Sequence, residues 1–355
     1  MKLPDFPWDA LAPYGQRARN HPQGGIDLSQ GTPVDPTPDF IQSELKASAN
    51  SPSYPVTTGT KELRDSMERY GRAVLGASGE FDVLPTIGSK EMVALLPFLL
   101  EAKRILIPRI AYPTYKVGGL LNQAEVIEVE IDPSSWPDKD VDLVWLNSPS
   151  NPTGRVHSDA EIESVLSWAR KHSIPVASDE CYLPFPDTKK ARSILDLAKG
   201  DNSGLIALHS LSKRSNLAGY RAAFAIGDKS IIKRLLEIRK HMGMMVPLPV
   251  QRAMTVALED EKHVQLQAER YRSRRRILKS ALDEIGYRTE HSEAGLYLWC
   301  TNDGSDWESV SWFADRGVIV TPGSFYGDAG KHHIRIALTA TDEQIEDAAA
   351  RIRKS

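Results

Sequence analysis

The sequence predicts an α/β fold, with a mostly parallel central sheet in a large domain and a smaller α+β domain completing it. Three observations lead there. Between Tyr54 and Pro249, short runs rich in Val, Ile and Leu alternate with helix-length amphipathic stretches. Most of those runs are apolar along most of their length, as strands covered on both faces by helices must be. Beyond Pro249 the alternation gives way to one long helical pattern followed by separate strand-like runs.

In chain order, the first fifty residues are rich in Pro and polar groups, with Pro33, Pro36 and Pro38 close together, and read as an extended arm. Strands are expected at Val83–Pro85, Arg104–Pro108, Ala124–Ile131, Val141–Leu146, Pro175–Ser178, Gly204–Leu208 and Arg221–Ile226. Helical spacing of apolar residues places helices at Glu91–Leu100, Ser158–Lys171 and Lys229–His241. The second part reads as a helix over Gln251–Ile285, strands at Gly295–Cys300, Gly317–Thr321 and His333–Leu338, and a closing helix at Asp342–Arg353. The expected division is an arm at 1–45, a large domain at 46–250 and a small domain at 251–355. The basic run Arg270–Arg276 reads as a solvated, salt-bridged helix face.

Composition narrows the function. The chain has 355 residues, 41% of them hydrophobic and 26% charged, which excludes a disordered protein. Forty-four basic residues against 47 acidic ones give a net charge of −3, so nothing draws the molecule globally to nucleic acid or to an anionic membrane. The longest apolar run, Met92–Leu100, is too short for a membrane span, and no signal-peptide pattern follows the N-terminus. Cys181 and Cys300 lack the companions that a disulfide framework or zinc site needs, so no metal is expected and a reducing cytoplasm fits best.

Open α/β sheets bind ligands beyond the carboxyl ends of their strands, and five polar segments fall there. Gly88-Ser89-Lys90 is a turn into a helix whose free backbone N–H groups suit an anion. Tyr112 sits beside Pro113, and Asn151 lies in the rigid turn Asn147–Gly154. Asp179, directly after an apolar strand, needs a cation or donor if buried, and Tyr182 follows it closely. Lys213 follows another apolar strand, where desolvation can lower its pKa and leave a nucleophilic amine able to form a Schiff base with an aldehyde. Ser210, Ser212 and Arg221 could grip a phosphate beside it. Each segment alone is ordinary. Together they complement pyridoxal phosphate, with Lys213 for the aldehyde, Asp179 for the ring nitrogen, and Asn151 and Tyr182 for the phenolic oxygen. Tyr112 would stack on the ring, and Ser210, Arg221 and the backbone of Gly88, Ser89 and Lys90 would hold the phosphate.

The segments SPSNPTG, SDECY and SLSKRSNLAGYR, in that order and spacing, resemble the fold type I pyridoxal-phosphate aminotransferases of class I/II. LSQGTPVDPTP, SYPVTTG, IGSKEM, AYPTY, KHMGMMVPLPVQ, GLYLW and HHIRIALTATD extend the likeness over nearly the whole chain. Within the class the wording looks most like the actinobacterial-type N-succinyldiaminopimelate aminotransferases of lysine biosynthesis. The resemblance implies a homodimer with shared active sites, in which Tyr54 reaches the partner's cofactor phosphate. It also implies that Arg335 grips the substrate α-carboxylate and that Gly31 lines the substrate side. Two positions depart from the class pattern: Ala223 stands where glycine is frequent, and Cys181 where β-branched residues are common. No residue matches the second arginine of aspartate-specific relatives. An aminotransferase of other specificity (acetylornithine, aspartate or aromatic), a lyase on the same cofactor and a cofactor-sensing transcription regulator are the rival readings; the last lacks room for a DNA-binding domain ahead of Leu28.

Overall fold

The computed structural model describes residues 3–137 and 139–354. Its centre is a seven-stranded sheet in the order Asp82–Ile87, Ala222–Gly227, Leu205–Ser210, Val176–Asp179, Leu143–Asn147, Arg104–Pro108, Glu125–Val129. All pairs are parallel except those made by Ala222–Gly227, which runs against both neighbours. Every residue of Leu143–Asn147, Val176–Asp179, Leu205–Ser210 and Ala222–Gly227 is buried, which is why these strands carry no polar alternation. The edge strand Glu125–Val129 is covered less and alternates accordingly.

Helices Ser89–Leu99, Thr114–Leu121 and Lys229–Met242 cover one face through Met92, Val93, Leu96, Tyr115, Ile232 and Leu235. Helices Lys61–Ala73, Asp159–His172 and Leu248–Leu258 cover the other. Helix Asp159–His172 starts at a complete capping box between Ser158 and Glu161, an arrangement typically worth about 1 kcal/mol. The second unit is an antiparallel sheet in the order Thr321–Pro322, Ile334–Ala337, Tyr297–Thr301, Arg288–Glu290, packed under helices Lys262–Glu284, Asp306–Asp315 and Asp342–Arg353. The short strand Ile26–Asp27 joins it by pairing with Val318–Ile319.

The strand expected at Gly317–Thr321 is two, Val318–Ile319 and Thr321–Pro322, in separate sheets, and three further expectations change. The 251–285 helix is two helices, Leu248–Leu258 and Lys262–Glu284, broken where the Asp260 carboxylate accepts from the backbone N–H of His263. Ala253, Met254 and Ala257 therefore belong to the large core, and the second core begins with Lys262–Glu284. The arm is not simply extended: it holds helices Ala12–Arg19 and Asp39–Ala47, with Leu28 in the small core and Ile41 in the large one. Proline spacing hid them, because Pro38 caps a helix as readily as it interrupts one. The basic run is only partly a solvated face. Arg274 is buried between Asp35 and Asp342, and Arg275 is buried among the carbonyls of Ser292, Gly295 and Tyr297. Buried cations need such partners, and those partners are remote in sequence.

Candidate active site

All the expected segments emerge at one edge of the large sheet. Three parallel strands end there, at Asn147, Asp179 and Ser210. Because Ala222–Gly227 runs antiparallel, its beginning lies at the same edge and delivers Arg221. Asp82–Ile87 is antiparallel to that strand in turn, so its end delivers Gly88 and Ser89.

Lys213 stands on the one-turn helix Leu211–Arg214, whose start is capped by the Ser210 hydroxyl accepting from the N–H of Ser212 at 3.1 Å. Successive helical side chains diverge by about 100°. Arg214 points away from the site and is locked there: its guanidinium donates to the Ala257 carbonyl at 2.6 Å, pairs with Glu261 and lies over the Tyr70 ring. Fixing Arg214 thereby directs Lys213 toward the cleft. Burial lowers the Lys213 pKa to about 8, with Arg335 and Arg221 nearby adding to the depression.

Asp179 is buried, and burial raises its pKa. Its carboxylate accepts from the Tyr115 hydroxyl at 3.0 Å and from the Cys181 N–H at 3.2 Å, but has no ion-pair partner among the described residues. Tyr115, a residue sequence reading gave no role, stacks on Trp145 at 4.9 Å and fixes the carboxylate from behind. A buried carboxylate with two neutral donors and no cation is suited to a protonated ring nitrogen.

The turn Asn147–Gly154 is held by the Asn147 side chain, whose oxygen accepts from the Asn151 N–H at 2.7 Å and whose amide donates to the Asp179 carbonyl at 2.8 Å. Arg335, on strand Ile334–Ala337, is buried and donates to the Asn151 side-chain oxygen at 3.0 Å and to the Ser29 carbonyl at 2.5 Å. Holding the oxygen of Asn151 leaves its NH2 group to donate to a ligand. Arg335 Nε is buried with no hydrogen-bond partner, so part of its donor fork is uncommitted. Tyr112 lies partly covered between these groups, edge-on to Tyr115. Tyr182 is buried and shares a hydroxyl–hydroxyl hydrogen bond of 2.9 Å with Tyr297, which sequence reading did not assign.

An anion cradle closes the edge. Gly88 has φ +74°, and a Cβ there would fall 2.2 Å from an Arg221 guanidinium nitrogen. Arg221 itself adopts the left-handed region at φ 55°, which aims its side chain across the glycine. Ser89 and Lys90 supply the first N–H groups of an eleven-residue helix. Gly88→Ala is expected to displace Arg221 and weaken cofactor retention at least tenfold while leaving the core folded; dialysis followed by absorbance at the cofactor band checks this. Lys90 turns its ammonium outward, 5.9 Å from the Phe6 ring, and the Ser212 hydroxyl makes no hydrogen bond among the described residues. Tyr54 is not buried with these groups, and 93% of its surface is exposed. At Gly31 a Cβ would lie 2.1 Å from the Tyr297 hydroxyl, so this glycine makes room for that ring.

A two-unit α/β molecule with a depressed lysine, an unpaired buried carboxylate and a glycine-and-arginine anion cradle at one sheet edge has the architecture of the fold type I pyridoxal-phosphate enzymes. Residues 23–352 match the family model described as aminotransferase class I and II, and the chain belongs to that family. It is therefore a pyridoxal-phosphate-dependent transaminase of amino and keto acids. It is 47% identical to the 4-dedimethylamino-4-oxo-anhydrotetracycline transaminase OxyQ of Streptomyces rimosus, with 99% of each chain covered. A probable aminotransferase of Mycobacterium tuberculosis is also 47% identical, covering 99% of this chain and 85% of the relative. An LL-diaminopimelate aminotransferase of Dehalococcoides mccartyi is 33% identical over 92% and 90% of the two chains. Among solved structures, a probable N-succinyldiaminopimelate aminotransferase from Thermus thermophilus is 28% identical, with a TM-score of 0.90 and coverage of 98% and 100%. No helix among the described residues is long and apolar enough to cross a membrane.

Proposed function

We propose that the chain moves an amino group between glutamate/2-oxoglutarate and N-succinyl-LL-2,6-diaminopimelate/N-succinyl-2-amino-6-oxopimelate, in the cytoplasm, as a homodimer with shared sites. The observation that carries the catalytic part is the placement of the Lys213 amine, on the one-turn helix after Leu205–Ser210, at the sheet edge that also carries Arg221 and the Asp179–Cys181 segment. When bound, the cofactor supplies an aldehyde for the amine and an electron-withdrawing ring. Lys213 would hold that aldehyde through its ε-amine and would move the proton at the substrate Cα. Asp179 keeps the ring nitrogen protonated, and Tyr115 holds Asp179 in place. Asn151 and Tyr182 donate to the phenolic oxygen, Tyr112 covers the ring, and Ser210, Ser212, Arg221 and the N–H groups of Ser89 and Lys90 take the phosphate; the Gly88 N–H, expected to be free, instead donates to the Thr86 carbonyl at 2.9 Å. Arg335 receives the substrate α-carboxylate through a bidentate pair, beside Gly31. The fully exposed ring of Tyr54 is consistent with insertion into a partner subunit's phosphate site, as the class resemblance implies.

Support for the acceptor comes from the sequence wording and from the Thermus thermophilus neighbour. A second reading, an acceptor keto group on an anhydrotetracycline skeleton, follows from the likeness to OxyQ. Coupled assays with 2-oxoglutarate, comparing N-succinyl-diaminopimelate, LL-diaminopimelate, acetylornithine, aspartate, aromatic amino acids and a fused-ring amine, decide between them. The first substrate should give the highest kcat/KM, and preference for any other overturns the acceptor. Release of pyruvate and ammonia without an oxo-acid would instead identify a lyase.

A further inference from the structure

We infer that Tyr297 is a positioning residue that orients and polarises Tyr182 while tying it to Arg335. The inference rests on the proposed contact of Tyr182 with the cofactor's phenolic oxygen. Several independent contacts meet at this one buried ring. Its hydroxyl lies 2.9 Å from that of Tyr182 and has no other hydrogen-bond partner among the described residues. Its face carries the Arg335 guanidinium at 4.1 Å. Its backbone carbonyl is held at 3.1 Å by the buried Arg275, which also holds Gly295 at 2.6 Å. Gly31 leaves open the space that the hydroxyl fills, since a Cβ there would lie 2.1 Å away.

Proton counting sets the direction of the hydroxyl–hydroxyl bond. Each phenol has one proton. If Tyr182 gives its proton to the phenolic oxygen, then Tyr297 must donate to Tyr182. A donor behind Tyr182 strengthens the bond that Tyr182 makes in front, because chained hydrogen bonds polarise one another. The cation over the Tyr297 face makes its hydroxyl a better donor still. Tyr297 thus acts on the cofactor without touching it, and links the group proposed for the carboxylate to the group proposed for the ring.

The test is a spectroscopic titration of cofactor-loaded protein, whose colour changes as the Lys213–cofactor linkage gains or loses its proton. A donor to the phenolic oxygen favours the unprotonated linkage, so losing one raises the midpoint. Tyr182→Phe should raise it by roughly one to two pH units. Tyr297→Phe keeps the ring under Arg335 and should raise it by a smaller amount, roughly 0.3 to 1 unit. The double variant should shift no further than Tyr182→Phe alone. Gly31→Ala, which evicts the hydroxyl while retaining Tyr297, should shift in the same direction as Tyr297→Phe. A wild-type midpoint in both Tyr297→Phe and Gly31→Ala, or additive shifts in the double variant, would overturn the inference while leaving the Tyr182 contact intact. An unchanged midpoint in Tyr182→Phe would instead remove that contact, and the inference with it.

Discussion

Lys213→Ala is expected to lower transamination by at least about 10⁴-fold, because in the proposed mechanism one side chain supplies both the covalent anchor and the proton transfer at Cα. The protein should still take up some cofactor, since the Gly88–Arg221 cradle and the Asp179 site do not involve that amine. Borohydride reduction of the loaded wild type followed by peptide mapping should label Lys213, and wild-type-like turnover in the variant would refute the assignment. The pKa adds a second readout. In the cofactor-free protein burial holds Lys213 at about 8, against an ordinary 10.5. Below about 8 the folded protein carries the full cost of a charged buried amine. Between about 8 and 10.5 the unfolded chain binds more protons than the folded one, so wild-type stability rises with pH. Cofactor-free Lys213→Ala should lack this rise, which chemical denaturation across that range measures.

Asp179→Asn is expected to lower kcat of cofactor-saturated protein by roughly 10² to 10³-fold, the scale on which loss of a preorganised electrostatic partner is usually felt. Asparagine preserves the shape and can still accept from Tyr115, but it leaves the ring cation without its counter-charge. Tyr115→Phe should therefore cost far less than Asp179→Asn, roughly tenfold or under, since the carboxylate survives and only its orientation loosens. Equal losses in steady-state kcat for the two variants would show that orientation rather than charge is what Asp179 provides.

Much of the large unit was legible because its strands are covered on both faces and its helices carry a one-sided apolar stripe. Strand Arg104–Pro108 matches its sequence pattern to the residue, the other large-sheet strands match within a few residues at their ends, and in the small unit helix Asp342–Arg353 also matches to the residue. What escaped shows where local reasoning stops. The Asp39–Ala47 helix hid among prolines, and the break before Lys262 depends on Asp260 meeting the backbone of His263. Arg274 and Arg275 read as solvated charges because their partners Asp35, Asp342, Ser292, Gly295 and Tyr297 are distant or on other elements.

The same division runs through the site. The order of residue types along the chain determined the cofactor chemistry, since an amine, a carboxylate, donors and an anion cradle each have to follow a strand end, and strand ends are visible as changes of polarity. Only the tertiary structure decided what stands behind those groups. Tyr115 braces Asp179 and Tyr297 braces Tyr182 across separations of 64 and 115 residues. Arg214, next to Lys213 in the chain, faces the opposite way to anchor it. Contacts of that kind arise from packing elements that are distant in the chain against one another, and packing is a property of the whole chain that no local pattern of residues records.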